Sequence, residues 1–120
     1  MIFAPNNANR STSGFVLDTT ADTVLVPTVV QGSRVTVDSI RVACDGTSTP
    51  ITIWYDTGTA IINIAKAHPV QANDEYDIKD INIFLRTGWS LKCKAGTANH
   101  LDITVVFFES SANQGSNSPG

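Results

Sequence analysis

From Val24 to Phe108 apolar and polar residues alternate with a period of two, the spacing of a half-buried β-strand. In RVTVDSIRVAC (34–44) the apolar set is Val35 and Val37, then Ile40, Val42 and Cys44. The step from Val37 to Ile40 skips a beat, which predicts a β-bulge at Asp38-Ser39. In PITIWYD (50–56) Ile51, Ile53 and Tyr55 share one face, with Thr52 and Trp54 on the other. Ile62, Ile64 and Lys66 belong to a following strand that ends at His68-Pro69, and Ile81, Ile83 and Leu85 line one face of the next. WSLKCKA (89–95) reads Trp89, Leu91, Cys93 and Ala95 inward, with Ser90, Lys92 and Lys94 outward. LDITVVFFE (101–109) sets Leu101, Ile103, Val105 and Phe107 against Val106 and Phe108.

Turn signals punctuate these runs at Gln31-Gly32, Asp45-Gly46, Thr57-Gly58, Asn73-Asp74, Thr87-Gly88 and Ala95-Gly96. No stretch sustains a helical period; Ile61 to Ala67 is too short and too β-branched. The expected fold class is therefore all-β, an antiparallel β-sandwich of about 7–8 strands, jelly-roll or immunoglobulin-like. At 120 residues the chain makes one domain. Both ends are poor in residues that could be buried: NNANRSTSG at 6–14 and the stretch after Glu109. This predicts an N-terminal arm over 1–14, a sandwich over 15–109 and a polar tail over 110–120.

The last strand is apolar on both faces at Val106 to Phe108, whereas a strand packed on one face is ordinarily polar on the other. Its outer face is then covered by a tail or a neighbouring subunit, or else overlaid by a loop. Ile2 and Phe3 are the expected apolar anchors of the arm, supported by Arg10. Trp54 and Phe108 complete the expected partner-binding set.

Composition narrows the function. Apolar residues make up 42% and charged residues 16%, against about 25% charged in ordinary domains. Thr, Ser and Asn fill the gap and favour strands and turns. Eight basic and eleven acidic residues give a net charge of −3, and the basic residues are scattered. That speaks against a nucleic-acid partner, which wants clustered Lys and Arg. No apolar run approaches the length of a membrane span. The N-terminal MIFAPNNANR has neither a basic leader nor a long apolar stretch, so the expectation is synthesis in the cytoplasm, or export as part of something larger. Cys44 and Cys93 lie on apolar faces, as buried reduced thiols or as a disulfide; neither reading gives a tetrahedral metal set.

The acidic run NDEYDIKD (73–80) lacks the alternate spacing and the glycine of a calcium loop. It reads as a solvated strand edge blunted by charge. His68 and His100 are the only imidazoles and read as loop residues. There is no GxSxG elbow, no phosphate-cradling glycine loop and no helix start to activate a cysteine. The expectation is a protein that is no enzyme and needs no cofactor.

One stretch is more informative than the rest: LVPTVVQGSRVTVDSIRV (25–42), taken with WYDTGTAIINIAKAHPV (54–70) and TGWSLKCKAGTANHLDITVVFFE (87–109). Together they resemble small β-sandwich virion proteins of tailed bacteriophages, of the capsid decoration or cement type. Pro27, Gly32, Arg34, Ser39, Ile40 and Val42 match a proline–glycine corner leading into a basic residue and a strand. Gly88, Ser90, Leu91, Leu101, Asp102 and Val105 match two late strands. The likeness covers roughly positions 22–109. The corner is longer here, through Thr28 to Gln31, and Trp89 replaces the usual acidic residue after the late glycine. The resemblance implies a protein on the capsid surface that binds the major capsid protein and associates with itself as a homotrimer. Related sandwiches in tails, baseplates or head fibres supply the alternative, a module binding a host surface glycan. That alternative predicts an exposed Trp54, whereas a cement protein predicts that Trp54 is covered.

Overall fold

The structure is a computed structural model in which residues 8–111 are described. The strands are β1 (Ala8–Leu17), β2 (Thr23–Val26), β3 (Ser33–Cys44), β4 (Thr49–Asp56) and β5 (Ile61–Val70), followed by β6 (Glu75–Ile78), β7 (Ile83–Leu85), β8 (Ser90–Ala95) and β9 (Leu101–Ser111). They form two antiparallel sheets. One has the order β1-β9-β3-β6, with β7 also on β3; the other has the order β2-β8-β4-β5.

The order follows from one long hairpin folded over on itself. The first half of the chain pairs with the second, β1 with β9, β2 with β8, β3 with β6 and β7, and β4 with β5. Wrapping that hairpin brings β3 beside β9 and β4 beside β8. With β6 and β7 as two pieces of one strand line, this is the eight-stranded jelly roll rather than the immunoglobulin arrangement. The hairpin's tip is the turn after Asp56. There Gly58 adopts φ 92°, a region that favours glycine. Its N–H donates to Asp56 Oδ1 at 2.8 Å, and Thr57 N–H donates to the Ala60 carbonyl at 2.9 Å.

The core lies between the sheets. Val35, Val37, Ile40 and Val42 of β3 and Ile103, Val105 and Phe107 of β9 face Ile51 and Ile53 of β4 and Leu91, Cys93 and Ala95 of β8. Each fully buried aliphatic side chain here contributes about 1.5–3 kcal/mol. The bulge expected at Asp38-Ser39 is present. The pairing passes from Val37↔Phe107 to Ser39↔Val106, so Val37 and Ile40 both point inward. Tightness has a price at one turn: a Cβ on Gly96 would lie 2.5 Å from the Pro50 ring, and the Gly96 N–H donates to the Pro50 carbonyl at 2.9 Å.

Four expectations change. Of the arm predicted over 1–14, residues 8–14 belong to β1, paired without a break to β9. Of the tail predicted over 110–120, Ser110 and Ser111 belong to β9. The polar residues that suggested an arm are held by backbone pairing, which needs no apolar side chain. Ile81 drops out of its strand, because the β3 bulge presents the Asp38 carbonyl to the Ile81 N–H at 3.2 Å, and Asp80 and Asn82 turn the chain with positive φ. In β5, register shifts opposite Ile51–Trp54 put Ala65 against Ile53 and leave Ile62 41% exposed. Ser90 keeps the outward side expected of it, opposite Asp56, but is buried there.

Candidate interaction face

The outer face of the β9 sheet assembles the site. Because strand partners in an antiparallel ladder point to the same side, the register fixes a row across four strands: Arg10 on β1, Phe108 on β9, Thr36 on β3 and Phe84 on β7. The next row is Thr12, Val106 and Ser39. Phe84 is 67% exposed, and Phe108 and Val106 are half-buried. Two aromatic rings and a valine thus share one outer face with the exposed Arg10.

Further along the same face the character changes. Arg41 pairs across strands with Asp77; its Nε donates to Asp77 Oδ1 at 2.9 Å and its Nη2 to Glu75 Oε1 at 2.9 Å. The hydrogen bond from Arg41, helped by its charge, holds the Asp77 carboxyl below the ordinary carboxylate value. Two acidic residues of the NDEYDIKD run are therefore paired with a strand neighbour instead of standing free. A shallow hollow lined by Ser39, Arg41, Asp77, Lys79, Thr104 and Val106 joins the charged half to the apolar half.

Of the residues the sequence nominated, the structure brings two together: Arg10 and Phe108 are direct cross-strand partners. Ile2 and Phe3 lie outside the described residues. Trp54 does not belong to this face. It sits on the outer side of the other sheet, between Lys92 on β8 and Asn63 on β5, and is only 5% exposed. Lys66 and Lys94 line the hollow above it with Thr52 and Ile61; lysine stems cover apolar surface while their ammonium groups stay wet. A sugar-stacking platform at Trp54 is thereby corrected, since the ring is already covered by its own chain. Sequence reasoning missed Phe84. Its signal was the same two-sided apolarity noted at Phe108, an aromatic between the inward Ile83 and Leu85.

The histidines take structural positions. His100 Nδ1 lies 3.0 Å from both carboxylate oxygens of Asp45, and the Asp45 N–H donates to the His100 carbonyl at 3.0 Å, tying two turns together at one end of the sandwich. His100, then the Thr47 N–H, hold the Asp45 carboxyl low. His68 stacks on Tyr76 at 3.8 Å between centroids and closes the edge between β5 and β6. Cys44 neighbours the Asp45–His100 pair, but its Sγ donates to the Thr47 carbonyl at 3.1 Å, and burial and the Asp45 charge push its thiol up. Burial pushes the Cys93 thiol up to about 12. Both cysteines are free, and neither is poised as a nucleophile. Among the described residues no three His, Cys, Asp or Glu side chains converge as a metal site.

No protein-family model matches the chain, and no curated protein matches it in sequence. Solved structures with some likeness include the Drosophila NLP core, at 10% identity and a TM-score of 0.46 over 85% of this chain and 96% of that one. A pentameric capsid protein from metagenomic phage sequences matches at 16% identity and 0.36, over 91% of this chain and 68% of the other. Tobacco streak virus coat protein matches at 12% identity and 0.41, over 91% and 89%. Two of these three are viral capsid or coat proteins. Likeness this distant assigns no function, and the jelly roll rests on the strand pairing described above.

Proposed function

We propose that this chain is a structural protein of a phage virion, a capsid decoration or cement protein that binds the outside of the head and stabilises contacts between major capsid subunits. It acts by binding and not by catalysis. The observation that carries the reading is the outer face of the β9 sheet. An apolar strip with Phe84 67% exposed is the kind of surface that soluble domains reserve for a partner, with an arginine beside it as interface cores favour. The sequence resemblance over residues 22–109 supplies the partner's identity, the major capsid protein. A decoration protein can stabilise a shell only as far as it binds the assembled lattice better than free subunits. A rigid sandwich presenting a preformed face suits that task, because little chain entropy is lost on docking. The glycan-binding alternative has no comparable observation behind it, since its aromatic, Trp54, is covered.

The test uses expanded heads that lack the protein. Purified wild type is expected to bind them and to raise the temperature at which they release DNA. Phe84→Asp and Phe108→Asp are each expected to lower head occupancy at least about tenfold, the range of a hot-spot residue, while the sandwich stays folded by circular dichroism. Deleting residues 1–7, which leaves β1 whole, measures what Ile2 and Phe3 add. Full occupancy by the Phe84→Asp variant, or binding to cells or tails in place of heads, would overturn the reading.

A further inference from the structure

The edges of the two sheets are unequally guarded. An exposed strand edge offers unpaired N–H and C=O groups to any other strand, and folded proteins blunt such edges with short strands, bulges, proline or charge. Here β2 is four residues long and shifts register between Val24 and Val26. β5 shifts register twice, contains Pro69 and turns at Ala67 with φ 47°. The β6–β7 edge is broken by Asp80 and Asn82 at positive φ and carries Glu75 and Asp77. β1 has none of these devices. It pairs with β9 over ten consecutive residues without a shift, contains no proline and carries one charge, Arg10.

The side of β1 that no described strand pairs can be read from its hydrogen bonds. The Leu17 carbonyl accepts from the Asn99 N–H at 2.8 Å, which turns the odd positions toward β9. Alternation then points the backbone groups of Arg10, Thr12 and Gly14 and the N–H of Val16 outward from the sheet. The Val16 carbonyl accepts from the Asp18 N–H at 3.0 Å, in keeping with that direction.

We infer that the free edge of β1 pairs antiparallel with β1 of a second copy, about a two-fold axis through Ser13. Continuity of the two sheets requires residues of equal parity to face each other, and this register sets Arg10 opposite Val16 and Thr12 opposite Gly14 in both directions. The side chains are self-complementary in it. Arg10 and Asp102 both lie on the outer face, and Asp102 is the β9 partner of Val16. Neither Arg10 nor Asp102 has an ion-pair partner among the described residues. In the pair, each copy's Arg10 lies across the other's Val16, 69% exposed in the single chain, toward Asp102 two strands away, about 10 Å between Cα atoms. The contact is isologous, so both ion pairs and the cover over both valines form together. It also joins the two outer faces into one surface, with both Phe84–Phe108 strips on the same side. The inference departs from the homotrimer that the sequence resemblance implies, and it stands apart from head binding because it concerns the edge of β1 and is measured without heads.

Sedimentation of the full chain over a concentration series tests it. Wild type is expected to dimerise reversibly. Thr12→Pro removes an N–H on the free side and leaves the bonds to β9 in place, a position edge strands tolerate. It is expected to weaken the dimer by about tenfold or more, with one lost bond in each copy. Arg10→Asp and Asp102→Arg are each expected to weaken it, and the double variant Arg10→Asp/Asp102→Arg to restore it. That swap decides the matter even if Thr12→Pro fails to fold. A wild type that stays monomeric, a trimer, or a dimer for which the double variant is no tighter than either single one would overturn the inference.

Discussion

The sandwich has two outer faces, and both carry an aromatic side chain at an outward position of an interior strand. On the β8 sheet that residue is Trp54, 5% exposed; on the β9 sheet the outward aromatics are Phe108, half-buried, and Phe84 on the short β7, 67% exposed. The strand period is the same in both cases, so it does not explain the difference. The neighbours do. Trp54 stands beside Lys92, with Lys66 and Lys94 near it, and β5 is pulled out of register next to it. Phe84 and Phe108 have Thr36 between them, a residue too short to cover either ring. One sheet covers its own outward ring; the other leaves Phe84 exposed.

Truncating the two faces should therefore have unequal consequences. Trp54→Ala is expected to destabilise the fold by about 3–5 kcal/mol, the cost of removing a large buried ring. Phe84→Ala is expected to change stability by no more than about 0.5 kcal/mol, as exposed substitutions do. Urea titrations of both variants check this; comparable losses would erase the distinction between the faces. A smaller effect sharpens the packing on the Trp54 side. Gly96→Ala drives a methyl into the Pro50 ring, which is fixed in the β4–β5 ladder. An overpacking loss of about 1–3 kcal/mol is expected, read as a lowered midpoint in the same titration.

How much of this was legible beforehand depends on what each feature leaves in the sequence. The β3 bulge was legible because it breaks a period: Val37 to Ile40 is three steps where two were due. The inner faces of β4, β8 and β9 were legible because their residues are fully buried and bind the alternation tightly. β1 was not, since Ser11 and Ser13 on its inner side are only half-buried, and the strand is held by main-chain bonds that any residue can make. Phe84 went unnoticed because Ile83 and Leu85 carry the alternation, and the outward residue between them adds nothing to it. The Arg10–Phe108 pair depends on a register between opposite ends of the chain. The cover over Trp54 depends on side chains from neighbouring strands. Alternation tells which way a residue points and is silent on what lies above it.

The charged half of the β9 sheet offers the gentlest test of the comparison. Asp77 is held below its ordinary pKa chiefly by the hydrogen bond from Arg41. A carboxyl depressed in the folded state contributes stability that is fully present above the unfolded value, about 3.9, and is lost as pH falls through the lower folded value. Wild type should therefore weaken on acidification below about pH 4 more steeply than Asp77→Asn, which has no proton to gain there. Asp45 is depressed as well, by His100 and the Thr47 N–H at the far turns, so the Asp77→Asn curve should keep part of its slope. The measurement is the urea midpoint from pH 6 to pH 2 for both proteins. Identical curves would mean that the Arg41 clamp adds nothing in solution. The apolar strip with Phe84 would then be the one part of this face whose side chains matter, and they would matter only to a partner.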